Sequence, residues 1–535
     1  MVAAYPEYVW MAVVGCIFAF IYAFGIGAND VANAFASTVA SKSLTLKQAI
    51  IAAGICEFAG SISLGAAVTS TIRSKIFDVK IYDGEQDILL LGMFTSLMTA
   101  IVMLMGATYI ALPVSTTQTV VGTIMGFSIA AKGFDSINRE VVIQIFLSWI
   151  MSPGISGAVA FLFFGFIKLF IHNSASPFDR GYILFPVVLT VFIGIDLFFV
   201  IYKAVNTNYA DSLKLSWVLP ASFGSGAFCG LIWLVIVGPW AKKRIEAHMA
   251  ELEELALLPG EEKKVIKDGA ETPDKTDEGA EGEPKESSDE EVADVDVEEQ
   301  KKVEKVEAPA ETAADDGAKK SFFAKAGESF ANNTYKQDLA KQSFHENKKA
   351  EELWQNADKF DVRTEQLFTY VQVFTACMNS FAHGANDVAN SIAPISAILM
   401  IVQDGTLESK AGVQKWLLAY GGIGIVVGLV CYGYKVMKTI GYKLTALSPS
   451  RGACAELAAS LYVVTASFLE MPVSSTQCIV GAVCGVGLVG GVKNLGWWFF
   501  LKICIGWVLE FFLAATLSAG MFSLFAFSPS MMCDN

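Results

Sequence analysis

The stretch Gly27-Ala-Asn-Asp-Val-Ala-Asn-Ala34 recurs as Gly384-Ala-Asn-Asp-Val-Ala-Asn-Ser391, with seven of eight residues identical. We call these two copies the Asn-Asp motifs. A second stretch, Pro113-Val-Ser-Thr-Thr-Gln118, recurs as Pro472-Val-Ser-Ser-Thr-Gln477, and we call these copies the Ser/Thr segments. The two pairs of copies are 357 and 359 residues apart, so the spacing is kept to within two residues. The chain therefore consists of two homologous halves.

Both halves have the composition of membrane-embedded protein. Of the 535 residues, 53% are hydrophobic and 17% are charged, whereas soluble chains carry roughly 25% charged residues. A helix needs about 20 apolar residues to cross a bilayer, and uncharged runs of this kind include residues 8–29, 88–112 and 141–167. The composition predicts an all-α integral membrane protein.

One acidic insert separates the halves. Residues 241–360 contain 19 Lys and Arg against 32 Asp and Glu, which accounts for −13 of the total charge of −14. Lys242, Lys243 and Arg244 directly follow an apolar run, and positive residues at the end of a span mark the cytoplasmic side. Residues 251–314 have no aromatic side chain, so this part is predicted to be disordered. The acidity belongs to the insert, and no nucleic-acid partner is expected.

The two halves are predicted to enter the membrane from opposite faces. The N-terminal tail has Glu7 and no basic residue, which favours the outside, and the insert is expected inside. An odd number of crossings must then separate the copies. Inverted repeats are characteristic of secondary transporters, whose sites lie at the membrane midplane where broken helices meet. We expect breaks at the Asn-Asp motifs and new helical segments at Pro113 and Pro472, since proline suits the first helical position.

The predicted division of the chain follows from these boundaries. It comprises a first repeat at residues 1–132, additional membrane helices at 133–240, an acidic cytoplasmic loop at 241–362, a second repeat at 363–492 and C-terminal membrane helices at 493–535.

The Asn-Asp motifs have the chemistry of a cation site. Asparagine and aspartate offer hard oxygen ligands that suit small cations such as Na⁺, and an aspartate at bilayer depth is costly unless it serves a function. The candidate cation ligands are Asn29, Asp30, Asn33, Asn386, Asp387 and Asn390.

The Ser/Thr segments suit an anion instead. A helix N-terminus presents unpaired backbone N–H groups and the positive end of the helix dipole, and the side chains add hydroxyl and amide donors. The candidate phosphate-binding residues are Ser115, Thr116, Thr117, Gln118, Ser474, Ser475, Thr476 and Gln477.

Two glutamates in apolar runs, Glu57 and Glu456, are candidates for coupling. Each is interpreted as a cation ligand, a proton carrier or the partner of a nearby arginine, with Arg73 and Arg451 as the obvious partners. For Asp196, Lys502 and Glu510 we expect local pairing.

These motifs resemble the inorganic phosphate transporter (PiT) family of sodium–phosphate symporters. Further stretches that carry the resemblance are Glu57-Phe-Ala-Gly-Ser61, Thr71-Ile-Arg-Ser-Lys75, Ser380-Phe-Ala-His-Gly384 and Ser448-Pro-Ser-Arg-Gly452. The resemblance implies about twelve membrane segments in an inverted repeat with broken or re-entrant helices. It also implies phosphate at the Ser/Thr segments and Na⁺ near the Asn-Asp motifs. Gln118 and Gln477 stand where many animal members have histidine.

The function expected is import of inorganic phosphate coupled to Na⁺ by alternating access. One alternative is proton coupling through Glu57 or Glu456, and another is a different tetrahedral oxyanion as substrate. A weaker alternative is a phosphate sensor whose acidic insert recruits partners. No Walker loop, nucleophile elbow or cofactor fingerprint is present in the sequence, so an enzyme is not expected.

The expected partners are inorganic phosphate, Na⁺ or H⁺, the lipid bilayer and, as an open alternative, a second copy of the chain in a homodimer. No cofactor is expected, because Na⁺ is a co-transported ion. The plasma membrane is the expected location, since no transit peptide precedes the first span.

Overall fold

The computed structural model describes residues 4–208, 215–257, 348–407 and 412–528, and these residues are almost entirely helical. The α-helices are α1 (Val9–Asn29), α2 (Val31–Ala40), α3 (Leu46–Ser74), α4 (Gln86–Tyr109), α5 (Thr116–Lys132), α6 (Arg139–Ile167), α7 (Pro177–Asn208), α8 (Leu215–Ile232), α9 (Gly238–Leu257), α10 (Lys348–Asn356), α11 (Val362–Asp404), α12 (Lys415–Lys443), α13 (Pro449–Phe468), α14 (Ser475–Val489) and α15 (Trp497–Phe527).

The helix count agrees with the expected membrane fold. Within the described residues, nine helical stretches are long and apolar enough to cross a membrane. With the further core helices α5, α13 and α14 of the described residues, the helix count is roughly consistent with the expected twelve or so segments. The all-α membrane fold is thereby confirmed. Of the segment 251–314 that was predicted to be disordered, residues 251–257 are helical as the end of α9, which corrects the prediction there, and residues 258–314 lie outside the described residues.

The two halves pack into each other in equivalent ways. Helix α3 of the first half packs on α11 of the second, and its counterpart α12 packs on α1. In the same manner α15 packs on α5, and α6 packs on α14. Because every one of these contacts joins the two halves, residues of both motifs are brought to one central region.

Glycines of the Asn-Asp motifs allow this close packing. A Cβ atom on Gly384 would lie 2.2 Å from the backbone oxygen of Glu57, and one on Gly27 would lie 1.7 Å from that of Ile425. Any larger side chain would therefore push α11 from α3 or α1 from α12. These two equivalent crossings also establish which positions of α3 and α12 correspond.

The helix break predicted at the second Asn-Asp motif is wrong. Helix α11 continues without interruption from Val362 to Asp404. In the first half only Asp30 separates α1 from α2, and its φ of −86° and ψ of −40° are helical. The motif glycines serve helix crossing rather than unwinding. Both motifs are therefore carried by helical backbone.

The chain does leave the helical path at the Ser/Thr segments, as predicted, but the new helices begin at Thr116 and Ser475, three residues after the prolines that were expected at the first helical position. Residues 110–115 join α4 to α5, and residues 469–474 join α13 to α14. The turns are alike in both halves, because Ala111 and its counterpart Glu470 have positive φ values of 53° and 59°. Helices α5 and α14 thus begin inside the protein, with their N-terminal residues buried.

Candidate functional site

Asp30 connects the first Asn-Asp motif to both Ser/Thr segments. The hydroxyl of Thr116 donates to Asp30 Oδ2 over 2.6 Å, and the hydroxyl of Thr476 donates to Asp30 Oδ1 over 3.0 Å. All three side chains are buried. One carboxylate thus accepts a hydrogen bond from each half of the protein.

Asp387 has an equivalent environment in the second half. The hydroxyl of Ser475, the counterpart of Thr116, donates to Asp387 Oδ2. The amide groups of Asn386 and Asn390 donate to Asp387 Oδ1 over 2.8 and 3.3 Å. The predicted cation and phosphate residues therefore lie in one connected network.

The first asparagine of each motif holds the helix against a Ser/Thr segment. Asn29 donates to the backbone oxygen of Leu112 over 3.0 Å and accepts from the backbone N–H of Val114 over 3.2 Å. Asn386 donates to the backbone oxygen of Val473 over 2.7 Å. These contacts fix the distance between each motif and the residues predicted to bind phosphate.

The last asparagine of the second motif reaches into the first half. Asn390 lies within hydrogen-bonding distance of the hydroxyls of Thr116 and Thr117, at 3.1 and 3.2 Å. Thr117 in turn donates to the backbone oxygen of Val473 over 3.0 Å. The side chain of the corresponding Asn33 lies outside the described part of the structure.

Four amide oxygens supply further ligand capacity. Among the described residues, the side-chain oxygens of Asn386, Asn390, Gln118 and Gln477 are buried without a hydrogen-bond partner. A buried unpartnered acceptor costs free energy unless a cation or a donor from a ligand reaches it. Amide oxygens are ligands of the type that suits a small hard cation.

The serines that open the Ser/Thr segments act as helix caps. Ser115 accepts from the backbone N–H of Gln118, and Ser474 accepts from that of Gln477, each over 3.3 Å. An N-cap side chain satisfies one of the unpaired N–H groups of the first helical turn. The two serines thereby set the position of the following hydroxyls.

His383 is a member of the site that the sequence reasoning missed. Its Nδ1 atom lies 3.0 Å from Glu57 Oε2, and its Nε2 atom lies 2.7 Å from Asp387 Oδ2. Nε2 forms no hydrogen bond of acceptable geometry with the aspartate oxygen, so the contact is an ion pair only when His383 is protonated. Ser380 donates to Glu57 over 2.8 Å. The sequence signal was the spacing of His383 and Asp387, since residues four apart share a helix face.

The equivalent helix crossing has no counterpart of this acid–histidine pair. The crossings of Gly384 and Gly27 pair Glu57 with Ile425, and the motif spacing pairs His383 with Ile26. The acid and the histidine therefore occur at the crossing of α3 with α11 and not at the crossing of α12 with α1. Ligand atoms of Asp30, His383 and Asp387 lie within 4.8 Å of one another and form a group that can hold a metal ion.

Comparison with known proteins assigns the chain to a family. Residues 26–518 match the phosphate transporter family. The chain belongs to the phosphate transporter family. The human sodium-dependent phosphate transporter 1 is 30% identical, with 97% of this chain and 96% of that protein covered. The phosphate-repressible phosphate permease pho-4 of Neurospora crassa is 29% identical, with 98% of both chains covered.

A solved structure agrees with the fold of this phosphate transporter. The match is a structure described as the sodium-dependent phosphate transporter, with a TM-score of 0.66 and 26% identity over 96% of this chain and 98% of that one. The chain is thus an integral membrane phosphate transporter, as the sequence motifs predicted, and not an enzyme.

Glu456 of the transporter lies within a cage of uncharged polar groups. Its carboxylate accepts from Ser37 and Thr38 over 2.6 Å each, from Thr375 over 2.8 Å and from Gln372 over 3.2 Å. The predicted arginine partners of the two glutamates are wrong. Arg451 instead donates to the backbone oxygen of Asp358 over 3.0 Å, and Arg73 donates to the hydroxyl of Ser396 over 3.1 Å. Glu456 therefore joins α2, α11 and α13 through hydroxyl and amide donors.

Glu510 reaches the first Ser/Thr segment, which local pairing did not predict. Its carboxylate accepts from the backbone N–H of Ser115 over 2.9 Å and from the hydroxyl of Thr119. The crossings at Gly122 and Gly481 pair Glu510 with Ser152 in the other half. The N-terminus of α5 therefore has a carboxylate beside it where that of α14 has a serine.

The other two charged residues for which local pairing was expected differ from each other. Lys502 lies over the ring of nearby Trp498, with 5.3 Å from Nζ to the ring centroid, as expected. Asp196 accepts from the hydroxyl of Ser460 over 3.3 Å. Because Ser460 is remote in sequence, the Asp196 contact joins α7 to α13 rather than pairing locally.

Proposed function

We propose that the protein imports phosphate together with Na⁺ by alternating access. The observation that supports this proposal is that hydroxyl groups of the Ser/Thr segments donate hydrogen bonds to the carboxylates of the Asn-Asp motifs. Thr116 and Thr476 donate to Asp30, and Ser475 donates to Asp387. The groups that suit phosphate are thus bonded to the groups that suit the cation.

A hydroxyl has one proton to donate, so these hydroxyls cannot serve a carboxylate and a phosphate oxygen at once. A cation on Asp30 and Asp387 would satisfy the carboxylate charge and release the hydroxyl protons toward an anion. Cation binding then favours phosphate binding. By linkage, phosphate must favour cation binding to the same extent.

The candidate anion site lies where the N-termini of α5 and α14 meet. A helix N-terminus attracts anions through its N–H groups and dipole. At α5 the N–H of Ser115 already donates to Glu510, whereas Ser152 takes the position of that acid near α14. We propose that phosphate binds closer to α14, with Ser475, Thr476 and Gln477 as its main donors and the α5 residues completing the site.

Coupling to a cation is needed on energetic grounds. Bringing a doubly charged anion into a cell held near about −100 mV costs about 4.6 kcal/mol, at roughly 2.3 kcal/mol per charge. Two Na⁺ ions would cancel this charge, and a third would make import electrically favourable. Asp30 and Asp387 together supply two carboxylate charges to attract cations.

The alternating-access part of the proposal follows from the repeat. We propose that residues 1–132 and 363–492 form two inverted repeats that rock against each other around the site, with α6 and α15 as a further equivalent pair. The N-terminus would lie outside, the loop 241–362 in the cytoplasm and the protein in the plasma membrane. Basic residues after Trp240 support this orientation.

Proton coupling is the second candidate function, because Glu57, His383 and Asp387 form a chain of titratable groups. Such a chain can take up one proton in place of a cation. In that case H⁺ at His383, rather than Na⁺, would release Ser475 from Asp387.

The test is phosphate binding to purified protein in lipid nanodiscs, measured at fixed pH and ionic strength in Na⁺ and then in K⁺. We expect tighter binding in Na⁺ and, reciprocally, tighter Na⁺ binding in phosphate. Equal phosphate affinity in both salts, with affinity that instead rises on acidification, would replace Na⁺ by H⁺. Equal affinity at every pH would contradict coupled binding altogether.

A further inference from the structure

A small cavity lies beside the second Ser/Thr segment, apart from the network described above. It has a volume of about 110 Å³ and is lined by the ends of α3 and α6 and by the turn between α13 and α14. Its polar lining residues are Thr71, Lys75, Gln144 and Glu470, and Pro472 forms part of its wall.

An ion pair stands at this cavity. Lys75 Nζ lies 2.7 Å from Glu470 Oε2, and the two side chains are 41% and 50% exposed. Partly exposed ion pairs contribute little to stability, so exchanging Glu470 for another anion would cost little. Lys75 is thus a cation whose partner can be replaced by an anion from solution.

The cavity also contains a buried donor for which the fold provides no partner. Among the described residues, the hydroxyl of Thr71 is buried without a hydrogen-bond partner, and the residue is 4% exposed. Thr71 lies one helical turn before Lys75, so both side chains are on the same face of α3. A hydroxyl and an ammonium on one cavity wall form a donor set for an oxyanion.

One stretch of chain forms part of the cavity wall and continues directly into the candidate phosphate site. Pro472 lines it, and the backbone oxygen of the next residue, Val473, accepts from Asn386 and Thr117. Ser475, the donor to Asp387, is two residues further on. A change in the backbone conformation of the turn at Glu470 would therefore also displace the next few residues, which contact the site.

Comparison of the two halves shows whether the backbone of the turn needs an acidic residue at the position of Glu470. Ala111 occupies the position of Glu470 and has the same positive φ, so the backbone does not need an acid there. Lys443 is the counterpart of Lys75, 368 residues later, as Gly428 is of Gly60. The lysine is therefore present in both halves, and the acid in one.

We propose that this cavity is an access site for phosphate, in which the anion displaces the carboxylate of Glu470 from Lys75 before it passes Pro472 to the Ser/Thr segments. The proposal rests on phosphate transport through the site described above. Release of Glu470 frees the turn between α13 and α14 to move. Lys75 and Thr71 then determine access, and Glu470 competes with the substrate for Lys75.

The test compares two neutralised variants, Lys75→Gln and Glu470→Gln, in proteoliposomes with radiolabelled phosphate. Removal of the competing carboxylate should lower the phosphate KM several-fold, while removal of the ammonium should raise it several-fold. A pair that only holds the fold together would change KM in the same direction in both variants, or in neither, and either result would overturn the proposal. A change in one variant alone would overturn it as well.

The ion pair between Lys132 and Glu85 is the matched control, because it is also partly exposed and lies away from the cavity. Lys132→Gln and Glu85→Gln should leave KM unchanged. If Lys75→Gln does not fold, Lys75→Arg should retain the wild-type KM and Thr71→Val should raise it about two- to three-fold. An unchanged KM in Thr71→Val would then overturn the proposal.

The comparison can be made with whichever cation gradient drives uptake. Loss of sodium dependence in the wild type would therefore contradict the coupling proposal and leave the access site standing. Opposite shifts of KM would support the access site in either case.

Discussion

Asp30→Asn is the change that most directly tests the link between the cation and phosphate residues. Asp30 accepts hydroxyl hydrogen bonds from Thr116 and Thr476, one from each half. Asparagine has nearly the same shape, but it lacks the charge and can accept at one of the two positions only. The substitution therefore removes the attraction for a cation while it keeps most of the packing.

The size of the effect follows from the geometry of the cluster. Ligand atoms of Asp30, His383 and Asp387 lie within 4.8 Å of one another, and a unit charge about 4 Å from a cation contributes about 4 kcal/mol at an effective dielectric constant of about 20. The amide dipole and solvent recover part of this, so we take a loss of about 2 kcal/mol, or roughly 30-fold in affinity. The Na⁺ concentration for half-maximal uptake should rise by this factor.

The assay is the initial rate of phosphate uptake against Na⁺ concentration, normalised to the amount of protein in the membrane. Asp196→Asn is the matched control, since Asp196 is also a buried membrane aspartate and accepts from Ser460 outside the cluster. Its Na⁺ curve should match that of the wild type. An unshifted curve for Asp30→Asn, or an equal shift for Asp196→Asn, would contradict the assignment of Asp30 to the cation site.

Three further changes test the packing, the caps and the titratable chain. Gly384→Ala would place a Cβ atom 2.2 Å from the backbone oxygen of Glu57 and should cost about 1–3 kcal/mol through overpacking, seen as a lower Tm; Gly224→Ala, in open space, should not lower it. Ser474→Ala removes an N-cap and should cost about 1 kcal/mol in thermal unfolding, and an unchanged Tm would contradict the capping role. His383→Gln interrupts the chain from Glu57 and should change the pH dependence of uptake, whereas a wild-type profile would exclude the histidine from it.

The duplicated motifs and the apolar runs were sufficient to predict the all-α membrane fold. The Ser and Thr residues of these segments indicated where α5 and α14 begin, but the first helical residues are Thr116 and Ser475, so the prolines lie three residues before the helices and not at their first position. The pairing of Asp30 with Thr476 links residues 446 positions apart. From the sequence, Asp30 was expected among the cation ligands and Thr476 among the phosphate-binding residues, and this direct contact was not predicted.

The continuity of α11 could not be predicted from local sequence. Gly384 and the adjacent Asn386 and Asp387 suggest unwinding when the segment is considered alone. In the structure, the glycine allows contact with Glu57, and the polar side chains find partners on α14 and its preceding turn. Tertiary contacts thus decide between a broken and a continuous helix.

The partners of the buried acids were also beyond sequence reasoning. Arginines close in sequence appeared to be natural partners for Glu57 and Glu456, but the carboxylates accept from His383 and from several hydroxyl groups instead. Glu510 was assigned a local contact and yet bonds to Ser115 in the other half. Such pairings depend on which helices cross, and the sequence alone does not define those crossings.

Na⁺-coupled import of phosphate is tested most directly by uptake of radiolabelled phosphate into proteoliposomes under an imposed Na⁺ gradient and then under an H⁺ gradient of equal size. We expect concentrative uptake with the Na⁺ gradient, and loss of this uptake when Na⁺ is equal on both sides. Uptake with the H⁺ gradient alone would contradict the assignment of Na⁺ to Asp30 and Asp387 and would place the coupling in the chain of Glu57, His383 and Asp387.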